Sequence, residues 1–254
     1  MELAHYFFFY AKKKNGSLKK DLYFAIWTGE EIGVLGSSAF VKNWNKNNKL
    51  AASKYFMANL NMDMIGRLKD KLYVQGVGSG TTWTHLSEEI SIRQGMPMVV
   101  QEDPYLPTDS MALYLAEIPA ITFFTGAHAE YHSPRDRAET LNYPGLERVV
   151  KTVAEYTRLL SDSAVRMVQY VKVGGSQGKL EGRSFRVYLG TIPDYSQEGV
   201  KGVRISGVSK GSPADLAGLQ EKDIIIEFSG VKIENIYDYV YTLQSVKANA
   251  ETKM

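Results

Sequence analysis

Apolar runs of strand length alternate with helical segments between residues 2 and 167, and this alternation limits the folds that the chain can adopt. The runs that predict strands are 22–27, 55–62, 71–75, 98–101 and 120–124. The segments that predict helices are 2–13, 32–44, 83–93, 111–116 and a long helix from Pro144 to about residue 167. Because helical crossovers join parallel strands, the pattern predicts an α/β fold with a mostly parallel sheet covered on both faces.

The apolar composition of two of these segments predicts how deeply they are buried. The helix at 2–13 is apolar nearly all round, which predicts an element that is buried on several sides. The run at 22–27 is apolar without interruption. Such a run is typical of a central strand that is covered on both faces.

The composition excludes several classes of site and partner. The chain contains no cysteine, so disulfides, thiolate metal ligands and cysteine nucleophiles are excluded, and any metal must use His, Asp or Glu. The 30 Lys and Arg residues against 28 Asp and Glu residues give a net charge of +2, which predicts no nucleic-acid partner. No apolar stretch is long enough to predict a membrane span.

The sequence pattern changes at a flexible, polar run, Gly-Gly-Ser-Gln-Gly at 174–178. Short strand patterns follow in the sequences RVYLG, VRISGV and DIIIEFSG, with helical segments at 212–217 and from near Asn235. We therefore predict a first domain at 1–170, a linker at 171–180 and a small strand-rich domain at 181–254.

Two adjacent carboxylates follow the apolar run at 22–27. In the sequence TGEEIG, Glu30 and Glu31 lie where the predicted strand ends. Ligand sites of open α/β sheets lie at the carboxyl ends of strands. Because adjacent side chains point in different directions, one carboxylate can bind a metal while the other acts as a general base. The alternative is a solvated helix start, where acidic residues interact favourably with the helix dipole.

Two further strands are followed by residues that can bind a metal. Asp63 in NMDMIG ends the strand at 55–62, and the alternative role for an acid at this position is to form a turn. His132 in EYHSPRD follows the strand at 120–124. Glu31, Asp63 and His132 together supply two carboxylates and an imidazole, a set of ligands that suits zinc.

The motifs TGEEIG, NMDMIG and EYHSPRD resemble the metal-binding motifs of the M28 family of zinc aminopeptidases. The resemblance implies a sheet of the zinc exopeptidase type and a site that holds two zinc ions when it is complete. It implies that Glu30 is the general base and that Glu31 and His132 bind the same zinc ion. By the same resemblance, Asp63 binds the second zinc ion and Tyr131 stabilises the tetrahedral intermediate.

Two more residues are assigned to the substrate side of this site. The segment LPTDS resembles a loop near the substrate in the family, which implies that Asp109 orients a ligand or the substrate amine. The alternative is that Asp109 caps the helix that follows it. Gly126 and Pro134 predict a loop around His128, and we therefore expect His128 at the rim of the site.

The chain departs from the family pattern at its N-terminal end. The resemblance covers about residues 1–165. The sequence has neither the His-x-Asp segment that precedes these motifs in the family nor the aspartate that bridges both metals. It retains three of the five metal ligands and the general base, so we expect an N-terminally incomplete domain with impaired metal binding.

The last module resembles a PDZ domain of the bacterial protease-associated type. The resemblance rests on YLGT and on the run GVRISGVSKGSPADLAGLQEKDIIIEFSG. It implies that the backbone N–H groups of Leu189, Gly190 and Thr191 hold the terminal carboxylate of an added peptide strand. The sequence ends before the final strand of such a domain, so we expect this domain to be incomplete as well.

Two functions of different classes follow from these residues. The first is a zinc-dependent aminopeptidase-like hydrolase that acts on a peptide substrate and removes its N-terminal residues. The alternative is a non-catalytic fragment or pseudo-enzyme that binds C-terminal peptides through its PDZ-like domain. The resemblance implies a location in the cell envelope or outside the cell, whereas the absence of cysteine is compatible with a reducing or an oxidising compartment.

Overall fold

A computed structural model describes residues 2–13, 18–31, 33–106, 108–128, 130–131, 134–163, 167–173, 187, 189–194, 197, 200–234 and 236–246. The chain forms two compact units. The first comprises residues 1–30, 35–125 and 142–174, and the second comprises residues 31–34, 126–141 and 175–254. Within the described ranges, no helix is both long enough and apolar enough to cross a membrane.

The described part of the first unit contains six α-helices and four strands. In chain order they are α1 (Glu2–Lys13), α2 (Leu35–Asn47), α3 (Ala52–Tyr55), β1 (Asn59–Met62), β2 (Leu72–Gln75), α4 (Trp83–Gln94), β3 (Met98–Gln101), α5 (Asp109–Leu115), β4 (Ala120–Phe124) and α6 (Tyr143–Asp162). Short 3-10 turns at Ile65–Arg67 and Val77–Ser79 follow β1 and β2. From α2 onward, the predicted alternation of strands and helices is confirmed.

The four strands form one mixed sheet in the order β1-β4-β2-β3. β1 pairs with β4 and β2 pairs with β3 in the parallel direction, whereas β2 and β4 are antiparallel. The registers place Asn59 opposite Ala120 and Leu72 opposite Met98. Because two of these three pairings are parallel, the prediction of a mostly parallel sheet is confirmed.

Helices cover both faces of this sheet, and the side chains of β4 show how. Ile121 and Phe123 are buried in a core shared with α4 and α6, and the ring of Phe123 lies 5.0 Å from the ring of Tyr156. Thr122 belongs to the opposite face, where its hydroxyl oxygen lies 2.7 Å from that of Ser110 on α5. Alternate residues of a strand point to opposite faces, so the predicted double cover is confirmed.

The predicted central strand at 22–27 is wrong. These residues, all of them described, pair with none of the described strands, and Ile26 is 90% exposed. Side chains hold the segment instead, since Tyr23 packs edge-on against Trp44 of α2 and its hydroxyl lies 2.6 Å from that of Tyr55. An uninterrupted apolar run has no periodicity that distinguishes a paired strand from an aromatic segment packed on helices.

Helix α1 has the predicted bounds, but the predicted burial on several sides is wrong. Leu3 and Phe7, four residues apart and therefore on one face, are buried in the main core. The Tyr10 hydroxyl donates a 2.7 Å hydrogen bond to Asp162 at the end of α6. The exposed aromatic residues of the helix are Tyr6, Phe8 and Phe9. The described residues therefore cover only one stripe of this apolar helix.

Helix α6 ends at Asp162, earlier than the predicted end near residue 167. Residues 167–173 run alongside the segment between β2 and α4 instead. The Thr81 N–H donates a 3.0 Å hydrogen bond to the carbonyl oxygen of Gln169. The apolar spacing therefore continues past the end of the helix because Val168 is buried in the core of the first unit, not because the segment is helical.

The described residues of the second unit include a small antiparallel module. Its elements are β5 (Thr191–Pro193), β6 (Val203–Val208), α7 (Pro213–Leu216), β7 (Ile224–Ile225), β8 (Glu227–Phe228), β9 (Val231–Lys232) and α8 (Ile236–Ser245). β5, β6 and β7 form one antiparallel sheet, and β8 pairs with β9. The core of the module contains Val203, Ile205, Ile225, Phe228, Ile233 and Tyr239.

A strand-rich C-terminal region is thus confirmed from residue 191 onward. Residues 174–180 of the predicted linker lie outside the described residues, as do Arg186 and Tyr188 of the run RVYLG. The proposed domain boundaries at 170 and 181 therefore stay predictions.

Candidate active site

Glu30 lies in a tight loop that precedes α2. The Gly36 N–H donates a 2.9 Å hydrogen bond to the Thr28 oxygen, and the Leu35 N–H donates a 3.1 Å hydrogen bond to the Gly29 oxygen. Glycine permits this close approach, because a Cβ at Gly36 would lie 2.7 Å from the Thr28 oxygen. Glu30 is half-buried. The loop therefore gives its carboxylate a partly desolvated position just before a helix.

Asp63 directly follows β1 and is half-buried. Its backbone N–H donates a 3.2 Å hydrogen bond to the carbonyl oxygen of Phe123 in β4. Met64, the next residue, has the left-handed conformation with φ 49° and ψ 43°. The chain therefore turns immediately after Asp63, at the carboxyl end of β1, where ligand sites of α/β sheets lie.

Asp109 is the first residue of α5, and Thr108 occupies the N-cap position. The alternative prediction that Asp109 caps this helix is therefore wrong. Asp109 is 9% exposed, and its Oδ1 has no hydrogen-bond partner within the described ranges. Burial raises the pKa of the Asp109 carboxyl, and a hydrogen bond with the buried Ser37 of α2 partly opposes this rise. Such an oxygen is suited to a cationic ligand.

Side-chain hydrogen bonds also join α5 to the sheet. The hydroxyl oxygens of Ser110 and Thr122 are 2.7 Å apart. Asn61 on β1 donates a weaker hydrogen bond of 3.5 Å to the Thr122 hydroxyl. These contacts connect the helix that begins at Asp109 with the strand that ends just before Asp63. Together with the Ser37 contact described above, they define a hydrogen-bonded network that links α2, α5, β4 and β1.

The remaining described candidates belong to the second unit. Glu31 is exposed and Tyr131 is half-buried. The Tyr131 N–H donates a 3.1 Å hydrogen bond to the His128 oxygen, which confirms the predicted loop around His128. In the His128 imidazole, Nδ1 lies 3.4 Å from Glu130 Oε2 and Nε2 lies 3.7 Å from Asp136 Oδ2. Neither contact is a hydrogen bond, because the Nδ1 contact is not aligned as one and the Nε2 contact is too long.

The described residues do not form a complete metal site. No three His, Asp or Glu side chains among them lie close enough together to hold a metal ion. His132 lies outside the described residues, so its convergence with Glu31 and Asp63 stays a prediction. The donor types nevertheless fit zinc, because carboxylate oxygens and imidazole nitrogens are among its usual ligands.

In the PDZ-like module, Leu189 and Gly190 lie just before β5. Their carbonyl oxygens accept hydrogen bonds of 2.9 Å from the Ala214 N–H and 2.7 Å from the Ser209 N–H. Gly190 has a φ of 85°, which favours glycine. None of the residues that the structure describes accepts a hydrogen bond from the N–H groups of Leu189 or Gly190. These two groups are therefore suited to an anion.

Thr191 differs from its two predecessors because it is the first residue of β5. Its hydroxyl lies 2.6 Å from the Tyr239 hydroxyl, which ties this strand to α8. Burial raises the pKa of Tyr239 to about 12, so its phenol stays protonated at neutral pH. The Thr191 side chain therefore stabilises the module at the position where we predicted a peptide contact.

Sequence reasoning missed two residues of the first unit, Ser37 and Thr125. Thr125 directly follows β4 and hydrogen-bonds the turn after Asp63. Its position after a buried strand is the signal that singled out Asp63, and it could have been used for Thr125 as well. Ser37 has no such signal, because a serine within a helix is common and its contact with Asp109 depends on tertiary structure.

Two protein-family models match separate parts of the chain. The model of peptidase family M28 matches residues 1–157, and a PDZ domain model matches residues 204–254. No significant match to this chain was found among the curated proteins.

Solved structures of bacterial enzymes resemble part of the chain. LapA aminopeptidase of Legionella pneumophila is 18% identical with a TM-score of 0.51, over 58% of this chain and 41% of LapA. BSAP, a zinc aminopeptidase from Bacillus subtilis, is 21% identical with a TM-score of 0.46, over 58% of this chain and 38% of BSAP. Glutaminyl cyclase of Porphyromonas gingivalis is 18% identical with a TM-score of 0.37, over 53% of this chain and 49% of that enzyme.

The matched part of this chain thus spans less than half the length of these structures, and the likeness to LapA shows the fold alone. The family model is more informative, because it covers residues 1–157 and so more than half of the 254 residues. That range includes Glu30, Asp63 and Asp109. The chain therefore belongs to peptidase family M28, and it carries a PDZ domain after the peptidase segment.

Proposed function

We propose that this protein is a zinc-dependent aminopeptidase that removes N-terminal residues from peptides. The observation that carries the proposal is the hydrogen-bonded network of the first unit. This network joins α2, which follows Glu30, to α5, which begins at Asp109, and to β1, which ends before Asp63. Membership of peptidase family M28 supports a peptide as the substrate.

In this proposal Glu31, Asp63 and His132 hold zinc, and a complete site holds two ions. Zinc, when bound, polarises the carbonyl of the scissile peptide bond and lowers the pKa of a water molecule. Asp63 has the strongest structural support of the three, because its position directly after β1 and its backbone hydrogen bond to Phe123 fix where its side chain begins.

Glu30 acts as the general base of the proposed reaction. It accepts a proton from the water whose oxygen attacks the peptide carbonyl carbon. It then donates this proton to the amine nitrogen as the carbon–nitrogen bond breaks. Tyr131 donates a hydrogen bond from its phenol to the carbonyl oxygen as that oxygen gains negative charge.

Asp109 binds the free α-amino group that distinguishes an aminopeptidase substrate from an internal peptide bond. Its buried Oδ1 has no partner within the described ranges and can accept a hydrogen bond from an ammonium group. His128 is assigned to the rim of the site by the loop predicted between Gly126 and Pro134, and its ring contacts Glu130 and Asp136.

Hydrolysis of a leucyl anilide tests the peptidase proposal. The Glu30→Gln variant should lose activity by roughly 10²–10⁴-fold, because proton transfer by a positioned group contributes about that much. Glu88→Gln, an exposed glutamate on α4, is the matched control and should keep full activity. The active protein should bind zinc, with about two ions where the site is complete, and chelation should abolish hydrolysis. A wild-type protein that neither binds zinc in excess metal nor hydrolyses the anilide contradicts the proposal.

The second candidate function is peptide binding by the PDZ domain without catalysis. It is favoured by the N–H groups of Leu189 and Gly190, for which none of the described residues is an acceptor. A fluorescent peptide with a free C-terminal carboxylate should bind at least about tenfold more tightly than its C-terminal amide, because only the carboxylate carries the charge that these groups accept. Equal affinities would contradict a carboxylate-binding role.

A further inference from the structure

The turn after Asp63 is held by a side chain from another strand. Thr125 directly follows β4 and is 5% exposed. Its hydroxyl donates a hydrogen bond to the carbonyl oxygen of Met64, and the Thr125 hydroxyl oxygen itself accepts a 3.2 Å hydrogen bond from the Arg67 N–H. One buried hydroxyl therefore satisfies both ends of the turn from residue 64 to residue 67.

This turn contains a backbone conformation that the sequence does not favour. Met64 has a φ of 49°, in the left-handed region that side chains other than glycine and asparagine seldom occupy. Such conformations persist where the surrounding structure enforces them, and they cluster at ligand sites. The Thr125 hydroxyl contacts this residue directly, because it donates to the carbonyl oxygen of Met64 itself.

Asp63 and Met64 are held by β4 and by the residue that follows it. The Asp63 N–H donates to the carbonyl oxygen of Phe123 in β4, and the Met64 carbonyl oxygen accepts from Thr125, directly after the end of that strand. These two contacts hold the peptide unit before the Asp63 Cα and the peptide unit after the Met64 Cα, so they restrain the backbone on both sides of the Asp63–Met64 pair. They therefore also set the direction in which the carboxylate leaves the backbone.

We propose that Thr125 is a positioning residue whose hydroxyl holds the strained turn at Met64 and so orients the Asp63 carboxylate toward zinc. The inference rests on the proposed zinc-binding role of Asp63. Removing a group that orients a metal ligand typically lowers the metal affinity by about 10–100-fold.

Three substitutions separate this role from a purely structural one. Thr125→Val removes the hydroxyl at nearly constant shape, and Thr125→Ser keeps it. Thr152→Val is the matched control, because Thr152 is 1% exposed and its hydroxyl donates a 3.0 Å hydrogen bond to the Arg148 oxygen within α6. The two valine variants each delete one buried hydroxyl, but only one of them touches the turn after Asp63.

Zinc affinity is measured by competition with a chelating dye, and amide hydrogen exchange is measured at Arg67 without metal. Thr125→Val should weaken zinc binding by about 10–100-fold at one site and should speed exchange of the Arg67 amide. Thr125→Ser should behave like the wild type, and Thr152→Val should keep the wild-type zinc affinity. If Thr125→Val does not fold, Thr125→Ala tests the same loss of the hydroxyl with a smaller side chain.

The outcomes separate the inference from the function on which it rests. Equal zinc affinity of the wild type and Thr125→Val overturns the positioning role alone, while the aminopeptidase proposal stands. An equal loss of affinity in Thr152→Val also overturns it, because the effect would then follow from lost stability. A wild-type protein that binds no zinc overturns the proposed function and, with it, the role of Thr125.

Discussion

The sheet of the first unit and the aromatic segments that precede it are similarly apolar in sequence but are buried to different extents. In β4, Ile121 and Phe123 are fully buried, whereas Phe9 in α1 is 65% exposed and Ile26 in the segment at 22–27 is 90% exposed. The sheet residues belong to paired strands with helices on both sides. Phe9 and Ile26 of the aromatic segments instead keep most of their side-chain surface exposed. An uninterrupted apolar run is thus buried in the paired strand β4 but stays largely exposed in the unpaired segment at 22–27.

The largest difference between the two regions should appear in core stability. Phe123→Ala should lower the free energy of unfolding by about 3–5 kcal/mol, because it leaves a cavity where a fully buried ring packed against Tyr156. Phe24→Ala, at a ring that is 53% exposed, should cost less than about 1 kcal/mol. Urea unfolding followed by tryptophan fluorescence measures both values. Equal losses would show that the aromatic segment is as well covered in solution as the sheet.

Two glycines extend the comparison to backbone contacts. A Cβ at Gly80 would lie 2.4 Å from Val168 Cγ1 and 2.8 Å from Trp83 Nε1. Gly80→Ala should therefore lower the free energy of unfolding by about 1–3 kcal/mol through overpacking. Gly36→Ala instead presses on Thr28 and displaces the loop that carries Glu30.

We expect Gly36→Ala to reduce anilide hydrolysis more than it reduces stability and Gly80→Ala to do the reverse. Thermal unfolding and initial rates on the same protein samples test this. If the ratio of lost activity to lost stability were the same in Gly36→Ala and Gly80→Ala, the two glycines would not have the different roles that we predict.

The buried carboxyl of Asp109 should make stability depend on pH. Burial raises its pKa above the unfolded-state value of about 3.9, so the folded protein holds this proton more tightly than the unfolded chain does. This contribution is fully present below about pH 3.9 and is lost as the pH rises through the raised pKa.

Asp109→Asn removes this contribution. Its unfolding temperature relative to the wild type should therefore rise with pH across this window and then level off. Ser37→Ala should widen the window, because the hydrogen bond that opposes the rise in pKa is gone. A difference between wild type and Asp109→Asn that is independent of pH would show that the carboxyl is solvated.

The smallest effect is expected at the exposed face of α1. Phe9→Ser should change the free energy of unfolding by no more than about 0.5 kcal/mol, because the ring is 65% exposed. Phe7→Ser, two residues earlier and 2% exposed, is the matched change on the buried stripe and should destabilise the protein clearly. Similar losses in both variants, measured by urea unfolding, would show that α1 has a partner on its second face.

Much of the fold could be predicted from sequence because local pattern and tertiary structure agree. β4 has the predicted bounds, 120–124, and the predicted helix at 2–13 is α1. β1 begins at Asn59, later than predicted, because α3 takes up residues 52–55. The segment at 22–27 could not be predicted correctly, since its apolar run fits either a paired strand or an aromatic contact with helices.

Of the candidate site, the sequence predicted where Asp63 lies relative to its strand but not the contacts around it. Ligand sites of α/β sheets lie at the carboxyl ends of strands, and this rule singled out Asp63. The structure places Asp63 directly after β1. The left-handed turn at Met64 has no sequence signal, because methionine seldom adopts this conformation. The unpartnered oxygen of Asp109 depends on how α2 and α5 pack, which a single sequence does not specify.

The order of the strands has a consequence for how the protein is made. β4 lies between β1 and β2 in the sheet, although the ribosome synthesises it after both of them and after β3. Until residues 120–124 have emerged, β1 lacks the neighbour with which it pairs, and its apolar side chains are available to other chains. Nascent protein that stalls before this point should therefore need chaperones more than protein that stalls after it.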